Sequence, residues 1–256
     1  MHRGMTLAVA NQKGGVAKTT SVASLGAALV EQGHRVLLVD LDPQACLTFS
    51  LGVDPDALDL SVHDELLGRV GASMALLETE DGPDLLPATI DLAGSEAALL
   101  TRAGREYVLR EALEEVAQGY AFVLIDCSPS LGVLTLNALT AADEVIVPLQ
   151  CETLSHRGVG QLLDTVHDVQ RILNKRLVVR GVLPTLYDGR TNHARAVLAD
   201  VSERYGLTVL EPPIPKSVRF AEAPLAGRTV LSTARRGKGA EAYREHARAL
   251  AAGAPA

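Results

Sequence analysis

The run Lys13-Gly14-Gly15-Val16-Ala17-Lys18-Thr19-Thr20-Ser21 constrains the fold more than any other segment of the chain. It follows a short apolar run, Thr6 to Ala10, which reads as a buried strand. It precedes Val22 to Val30, a small-residue and Leu-containing stretch of helical character. Strand, glycine-containing loop, Lys-Thr and helix form the layout of a phosphate-binding loop. Glycines let backbone N–H groups close around phosphate oxygens, and the helix N-terminus adds the positive end of its dipole. Lys13, Gly14, Gly15, Val16, Ala17, Lys18, Thr19 and Thr20 are therefore the candidate nucleotide cradle. Lys18 can reach the outer phosphates, and the Thr19 hydroxyl can ligate Mg²⁺.

Two positions depart from the common G-x-x-x-x-G-K-[ST] pattern. Lys13 occupies the first glycine position and Ala17 the second. If residue 17 takes a positive φ, its Cβ costs on the order of 1 kcal/mol. In ordinary helical geometry it costs nothing.

The rest of the chain alternates strand and helix candidates, which implies an α/β fold with a mostly parallel twisted sheet and helices on both faces. Strands are expected at 6–10, 35–40, 84–87, 121–126, 144–148, 177–183 and 208–210. Helices are expected at 19–32, from a cap at Ser61, and at 91–100, 106–118, 133–142, 155–173, 191–205 and 239–251. Segments 42–60 and 185–190 read as functional loops. The 256 residues, with 47% hydrophobic content, suit a single domain spanning 1–256 with a frayed tail over 253–256. Trp is absent and aromatics are 3%, so aliphatic side chains must fill the core. No apolar run is long enough for a membrane span, and the start reads as lacking a secretory leader. Three cysteines argue against a disulfide framework and fit a reducing cytoplasm.

Two apolar runs end in acids. Val36 to Val39 leads into Asp40-Leu41-Asp42-Pro43-Gln44, and Phe122 to Ile125 leads into Asp126. Ligands of parallel sheets lie beyond the carboxyl ends of strands. Asp42 is thus a candidate to orient a water for in-line attack and to hold Mg²⁺ through water, and Asp126 to accept from a Mg²⁺-bound water.

Lys13-Gly-Gly-x-x-Lys18-Thr resembles the deviant Walker A loop of the ParA/MinD ATPases, and D-x-D-P-Q at 40–44 matches the ParA branch. Ser128 to Gly132 resembles the family's switch II. Pro87 to Gly94, Val147 to Gln150, Asp188 to Asn192 and Pro213 to Pro224 also match ParA-type chromosome-partitioning segments, in the same order, across nearly the whole chain. The resemblance implies a P-loop NTPase using ATP and Mg²⁺, with slow hydrolysis. Its catalytic residues would be Lys13, Lys18 and Asp42, and its metal residues Thr19, Asp42 and Asp126. It implies a homodimer formed on ATP, in which Lys13 reaches the partner's phosphates. It further implies that Arg190 and Arg219, helped by Lys216, grip DNA without sequence preference. Pro215 and Ser217 would flank the adenine, although relatives usually carry Asn where Ser217 stands and Arg where Lys216 stands. The implied partner is a ParB-like activator, and the implied location is the cytoplasm at the nucleoid, with no stable membrane anchor. Other readings stay open: a MinD-like membrane-cycling ATPase, an orphan positioning ATPase, a metabolic deviant-loop enzyme, or a scaffold impaired in hydrolysis.

Overall fold

The computed structural model describes residues 4–152 and 155–253. The first apolar run forms β1 (Met5–Val9), and the segment after the glycine loop forms α1 (Lys18–Glu31). They are followed by β2 (Val36–Leu41), the short helices α2 (Cys46–Ser50) and α3 (Val62–Leu66), and the short strands β3 (Leu77–Glu78) and β4 (Asp84–Leu86). Then come α4 (Leu92–Leu99), α5 (Val108–Val116), β5 (Phe122–Cys127), α6 (Val133–Ala141), β6 (Glu144–Gln150), α7 (Ser155–Ile172) and β7 (Val178–Thr185). The chain closes with α8 (Asn192–Tyr205), α9 (Arg219–Glu222), α10 (Val230–Thr233) and α11 (Lys238–Gly253).

Seven strands form one sheet in the order β3-β4-β2-β5-β1-β6-β7, parallel except for the edge strand β3. The alternation along each strand divides the core. Leu7, Val9, Val36, Leu38, Phe122 and Leu124 face α1 and α11, where Leu25, Leu29 and Tyr243 are buried. Ala8, Leu37, Val39, Val123 and Ile125 face the opposite layer, which holds Leu109, Leu134, Leu139 and Val166. Period-two strands sandwiched between helices produce two cores from one sheet. Residues Asp40 and Asp126 are cross-strand partners at the carboxyl ends of β2 and β5.

Local signals hold at several element ends. Ser61 accepts from the His63 N–H while Asp64 accepts from the Ser61 N–H, a capping box for α3. Thr191 accepts from the Ala194 N–H at the start of α8.

Three expectations are corrected. Segment 208–210 makes a single bridge, Val182 to Val209, instead of a strand. It runs close against Gly181, where an added Cβ would lie 2.4 Å from the Thr208 carbonyl oxygen. Segment 42–60 is not all loop, because α2 lies within it, begun by Ala45 at φ 51°. The last helix runs two residues past Ala251 to Gly253. Residues 1–3, where a leader was judged absent, and 254–256 of the expected tail lie outside the described residues.

Tyr243 joins α11 to α1. It is fully buried, its hydroxyl lies 3.0 Å from the Ser21 hydroxyl, and its ring meets Phe220 edge to face. Tyr243→Ala is expected to cost about 3–5 kcal/mol, read as a lowered urea midpoint. A loss below about 1 kcal/mol would mean that α11 is not part of this core.

Candidate nucleotide and metal site

The glycine loop emerges from β1 and ends abruptly at α1. Ala17, the residue before the helix, sits at φ 63° and ψ 35°, the left-handed region, so its Cβ is strained. Gly15 also has a positive φ, 72°, which glycine adopts freely. The start of α1 carries no side-chain cap and no acidic residue in its first turn. Its first backbone N–H groups therefore point out of the helix without an internal acceptor, and the dipole leaves positive potential there. This is the physical requirement for holding phosphate.

The loop is braced by residues that the motif does not include. Asn11 accepts from the Lys13 N–H at 2.9 Å and donates to the Pro148 carbonyl at 2.7 Å. Thr185, at the end of β7, donates its hydroxyl to the Val16 carbonyl at 2.9 Å and is fully buried. The segment Val147 to Gln150, which resemblance had marked without a chemical role, is the end of β6 and supplies one of these contacts. Sequence offered a weak signal for Asn11, a polar residue directly between strand and loop, and none for Thr185.

Lys18 is buried, and its ammonium donates to the Lys13 carbonyl at 3.2 Å. Burial lowers its pKa, and Asp126, Cys127 and Asp42 oppose that shift. Lys13 behaves differently. It is half-exposed, and its ammonium pairs with Glu152, just past β6. Glu152 in turn feels Lys216.

Opposite the loop stand the carboxylates. Asp126 is buried, and neither of its oxygens has a hydrogen-bond partner among the described residues. Burial and the neighbouring Asp40 push its pKa well up, while the Thr19 hydroxyl and the Lys18 ammonium counter them. Asp40 is also fully buried. It accepts from the Thr48 N–H at 2.8 Å, the Thr48 hydroxyl at 2.7 Å and the Asp42 N–H at 3.3 Å. Burial nevertheless raises its pKa to about 6. Asp42 is half-buried and accepts from the Gln44 N–H at 3.0 Å. Asp40 thus fixes the loop that carries Asp42, a supporting role that the acidic motif alone did not distinguish.

An orphaned buried carboxylate beside a hydroxyl and a helix N-terminus fits a magnesium–phosphate complex. Among the described residues, no group of three or more His, Cys, Asp or Glu side chains could hold a metal unaided. Mg²⁺ keeps several waters and takes further ligands from substrate phosphate. Thr19 would hold the ion, with Asp126 and Asp42 acting through its bound waters.

The candidate nucleic-acid residues lie on two loops zipped together. The Tyr187 N–H donates to the Ile214 carbonyl at 2.9 Å, and the Lys216 N–H donates to the Tyr187 carbonyl at 3.2 Å. These contacts bring Arg190 and Asp188 beside Lys216. Arg190 grips Asp188 through two hydrogen bonds, 2.9 and 2.8 Å, and this pairing holds the Asp188 pKa at about 2. Arg219 pairs with Glu222 at 2.8 Å. Both arginines therefore reach solvent already engaged by carboxylates of their own chain. Pro215, Lys216, Ser217, Arg219 and Phe220 line one cavity of about 260 Å³, so the proposed adenine contacts and two of the cations share a surface.

A parallel sheet with a phosphate-ready helix start and acids at neighbouring strand ends defines a P-loop nucleoside triphosphatase. An AAA domain model matches residues 4–179. The chain is 44% identical to the sporulation initiation inhibitor protein Soj of Bacillus subtilis over 250 residues, covering 97% of this chain and 99% of Soj. It is 46% identical to the chromosome partitioning protein ParA of Caulobacter vibrioides, covering 94% and 92% respectively. The chain belongs to the ParA/Soj family of ATPases. A crystal structure of cobyrinic acid a,c-diamide synthase from Mycobacterium smegmatis, with bound ADP and magnesium, is also similar. It is 62% identical with a TM-score of 0.88, covering 97% of this chain and 94% of that one.

Ala17→Gly removes the Cβ from a left-handed position. It is expected to stabilise the chain by roughly 0.5–1 kcal/mol in urea denaturation, and a destabilisation would contradict the strain at Ala17. The buried acids make a second test. A carboxyl whose pKa rises on folding binds more protons in the native state, so stability falls as pH climbs from the unfolded value near 4 to about 6. Asp126→Asn is expected to raise the thermal midpoint of the nucleotide-free chain at pH 7.5 and to abolish the increment that Mg²⁺ adds with nucleotide. An unchanged magnesium increment would remove Asp126 from the metal site.

Proposed function

We propose that the whole chain acts as one ParA-type ATPase domain that dimerises on ATP and binds DNA without sequence preference. Its task would be chromosome or plasmid segregation, or the positioning of another cargo. The observation that carries this reading is the uncapped start of α1 facing the orphaned Asp126. ATP with Mg²⁺ supplies both missing partners, anionic oxygen for the helix and a cation for the carboxylate. The magnesium-bound nucleotide of the Mycobacterium smegmatis relative supports this choice.

In this reading Lys18 and the cradle from Gly14 to Thr20 hold the phosphates. Asp42 orients water, and charge neutralisation supplies most of the rate. Lys13 stands outside the cradle on Glu152, available to an opposing copy. Arg190, Lys216 and Arg219 would come together twice over in a dimer, multiplying phosphate contacts and steepening salt dependence. Pro215 and Ser217 would flank the base. Intrinsic turnover would be slow and stimulated by a ParB-like partner, in the cytoplasm at the nucleoid.

Two observations bear on other readings. No helix among the described residues is long and apolar enough to cross a membrane. Tyr243 and Leu250, the large apolar groups of α11, are buried against the body, which speaks against a membrane-cycling helix.

Light scattering with a non-hydrolysable ATP analogue tests the proposal. The wild-type chain is expected to dimerise, Lys13→Ala to stay monomeric, and Asp42→Ala to dimerise while hydrolysing ATP slowly. Arg219→Glu should keep the dimer and lose DNA binding in a filter assay. A wild-type chain that remains monomeric at high concentration would reject the reading.

A further inference from the structure

At the amino ends of β6 and β7 lies a cavity of about 280 Å³. It is lined by Arg110 of α5, by the end of α6, by Asp143 before β6, and by Lys175 and Arg176 in the turn between α7 and β7. Asp143 pairs with Thr6 near the start of β1: its N–H donates to the Thr6 carbonyl at 2.8 Å, and its carboxylate accepts from the Thr6 N–H at 2.8 Å. The glycine loop leaves the other end of β1. The seven residues of β6, which begin just after Asp143, span about 20 Å. The cavity is therefore separate from the nucleotide site.

A neutral amide sets the cationic turn in place. The Asn174 side chain donates to the Leu139 carbonyl at 3.0 Å and to the Ala142 carbonyl at 2.7 Å, while its oxygen accepts from the Arg176 N–H at 3.3 Å. Carbonyls at the end of a helix ordinarily attract Lys or Arg side chains. Here Asn174 takes those acceptors, and Lys175 and Arg176 are left to other partners. Both are exposed, and neither makes an ion pair among the described residues. Arg110 meets Glu114 one turn along its own helix at 3.6 Å, a long and exposed contact. Among the described residues that line the cavity, Asp143 is the one acid, against three bases. Cations gathered at one recess repel each other, and an anion between them turns that repulsion into attraction.

We propose that this recess binds a compact polyvalent phosphate of the pyrophosphate class, with Arg110 and Arg176 presenting forked donors to its oxygens and Lys175 a point charge. The volume lies just below the roughly 300 Å³ at which clefts for drug-sized ligands begin, so it suits a ligand without a large apolar body. Among the described lining residues there is no aromatic ring to stack a base. The cations line a recess rather than a ridge, which suits a small anion better than the phosphate rows of a duplex. The site needs nothing bound at the glycine loop, so its test and the test of ATP-driven dimerisation fail separately.

The probe is inorganic pyrophosphate, titrated by calorimetry into the full chain in EDTA and about 0.15 M NaCl. The glycine loop competes for the same anion, so the quantity read is the binding event that wild type shows and Arg176→Glu lacks. Wild type is expected to take up one equivalent more than Arg176→Glu, and Arg110→Ala to weaken that event about tenfold. Pyrophosphate should also raise the melting midpoint of wild type more than that of either variant. Both variants are expected to bind ATP with Mg²⁺ as wild type does, with circular dichroism checking the fold. If Arg110→Ala does not fold, Arg176→Glu decides, since its side chain is exposed. Equal uptake by wild type and Arg176→Glu overturns the proposal, as does a loss of ATP binding in Arg176→Glu. Equal affinity for sulfate overturns the polyvalent phosphate as ligand. An Arg176-dependent affinity for duplex DNA without one for pyrophosphate gives the surface to nucleic acid and overturns it too.

Discussion

The site depends on an electrostatic opposition that the protein does not complete by itself. The start of α1 presents backbone donors with no side-chain cap and no acid, while Asp126 presents two buried oxygens with no hydrogen-bond partner among the described residues. Each feature is costly alone, since buried polar groups without partners forfeit several kcal/mol of solvation, on the order of 1–3 each. Together they frame a gap of complementary charge. The fold keeps them apart because β1 and β5 are hydrogen-bonded neighbours whose ends cannot collapse onto one another.

The supporting shell explains why the gap stays open. Asn11 and Thr185 tie the loop backbone to β6 and β7, and Asp40 ties the Asp42 loop to Thr48. The Thr48 hydroxyl then accepts from the Ala88 N–H at 2.9 Å. Hydrogen bonds in sequence hold geometry better than isolated ones, because each fixes the orientation of the next. Strain at Ala17 fits the same picture, a backbone position held by its surroundings against local preference.

Charge organises the surface on a larger scale. A line of alternating charges runs from Lys13 through Glu152 and Lys216 to Asp188 and Arg190. It links the glycine loop to the basic loops without a covalent path. Exposed pairs of this kind contribute little stability, typically under about 1 kcal/mol. An external anion would compete with such exposed pairs at small cost.

The sequence by itself determined the parallel α/β order, the glycine loop from Lys13 to Thr20 and the acids at the ends of β2 and β5. These are local statements: a periodicity, a glycine loop, a strand that stops at a carboxylate. It did not determine the φ of Ala17, because either geometry suited the motif. It did not reveal Asn11, Thr185 or Glu152 as neighbours of the loop, because the latter two lie more than a hundred residues away and meet it only when β6 and β7 join the sheet. The strand expected at 208–210 failed for the same reason, since ladder formation depends on what lies alongside. Tertiary structure alone decided which carboxylates are buried, and therefore which of them a metal ion would satisfy, because desolvation is a property of position and not of residue type.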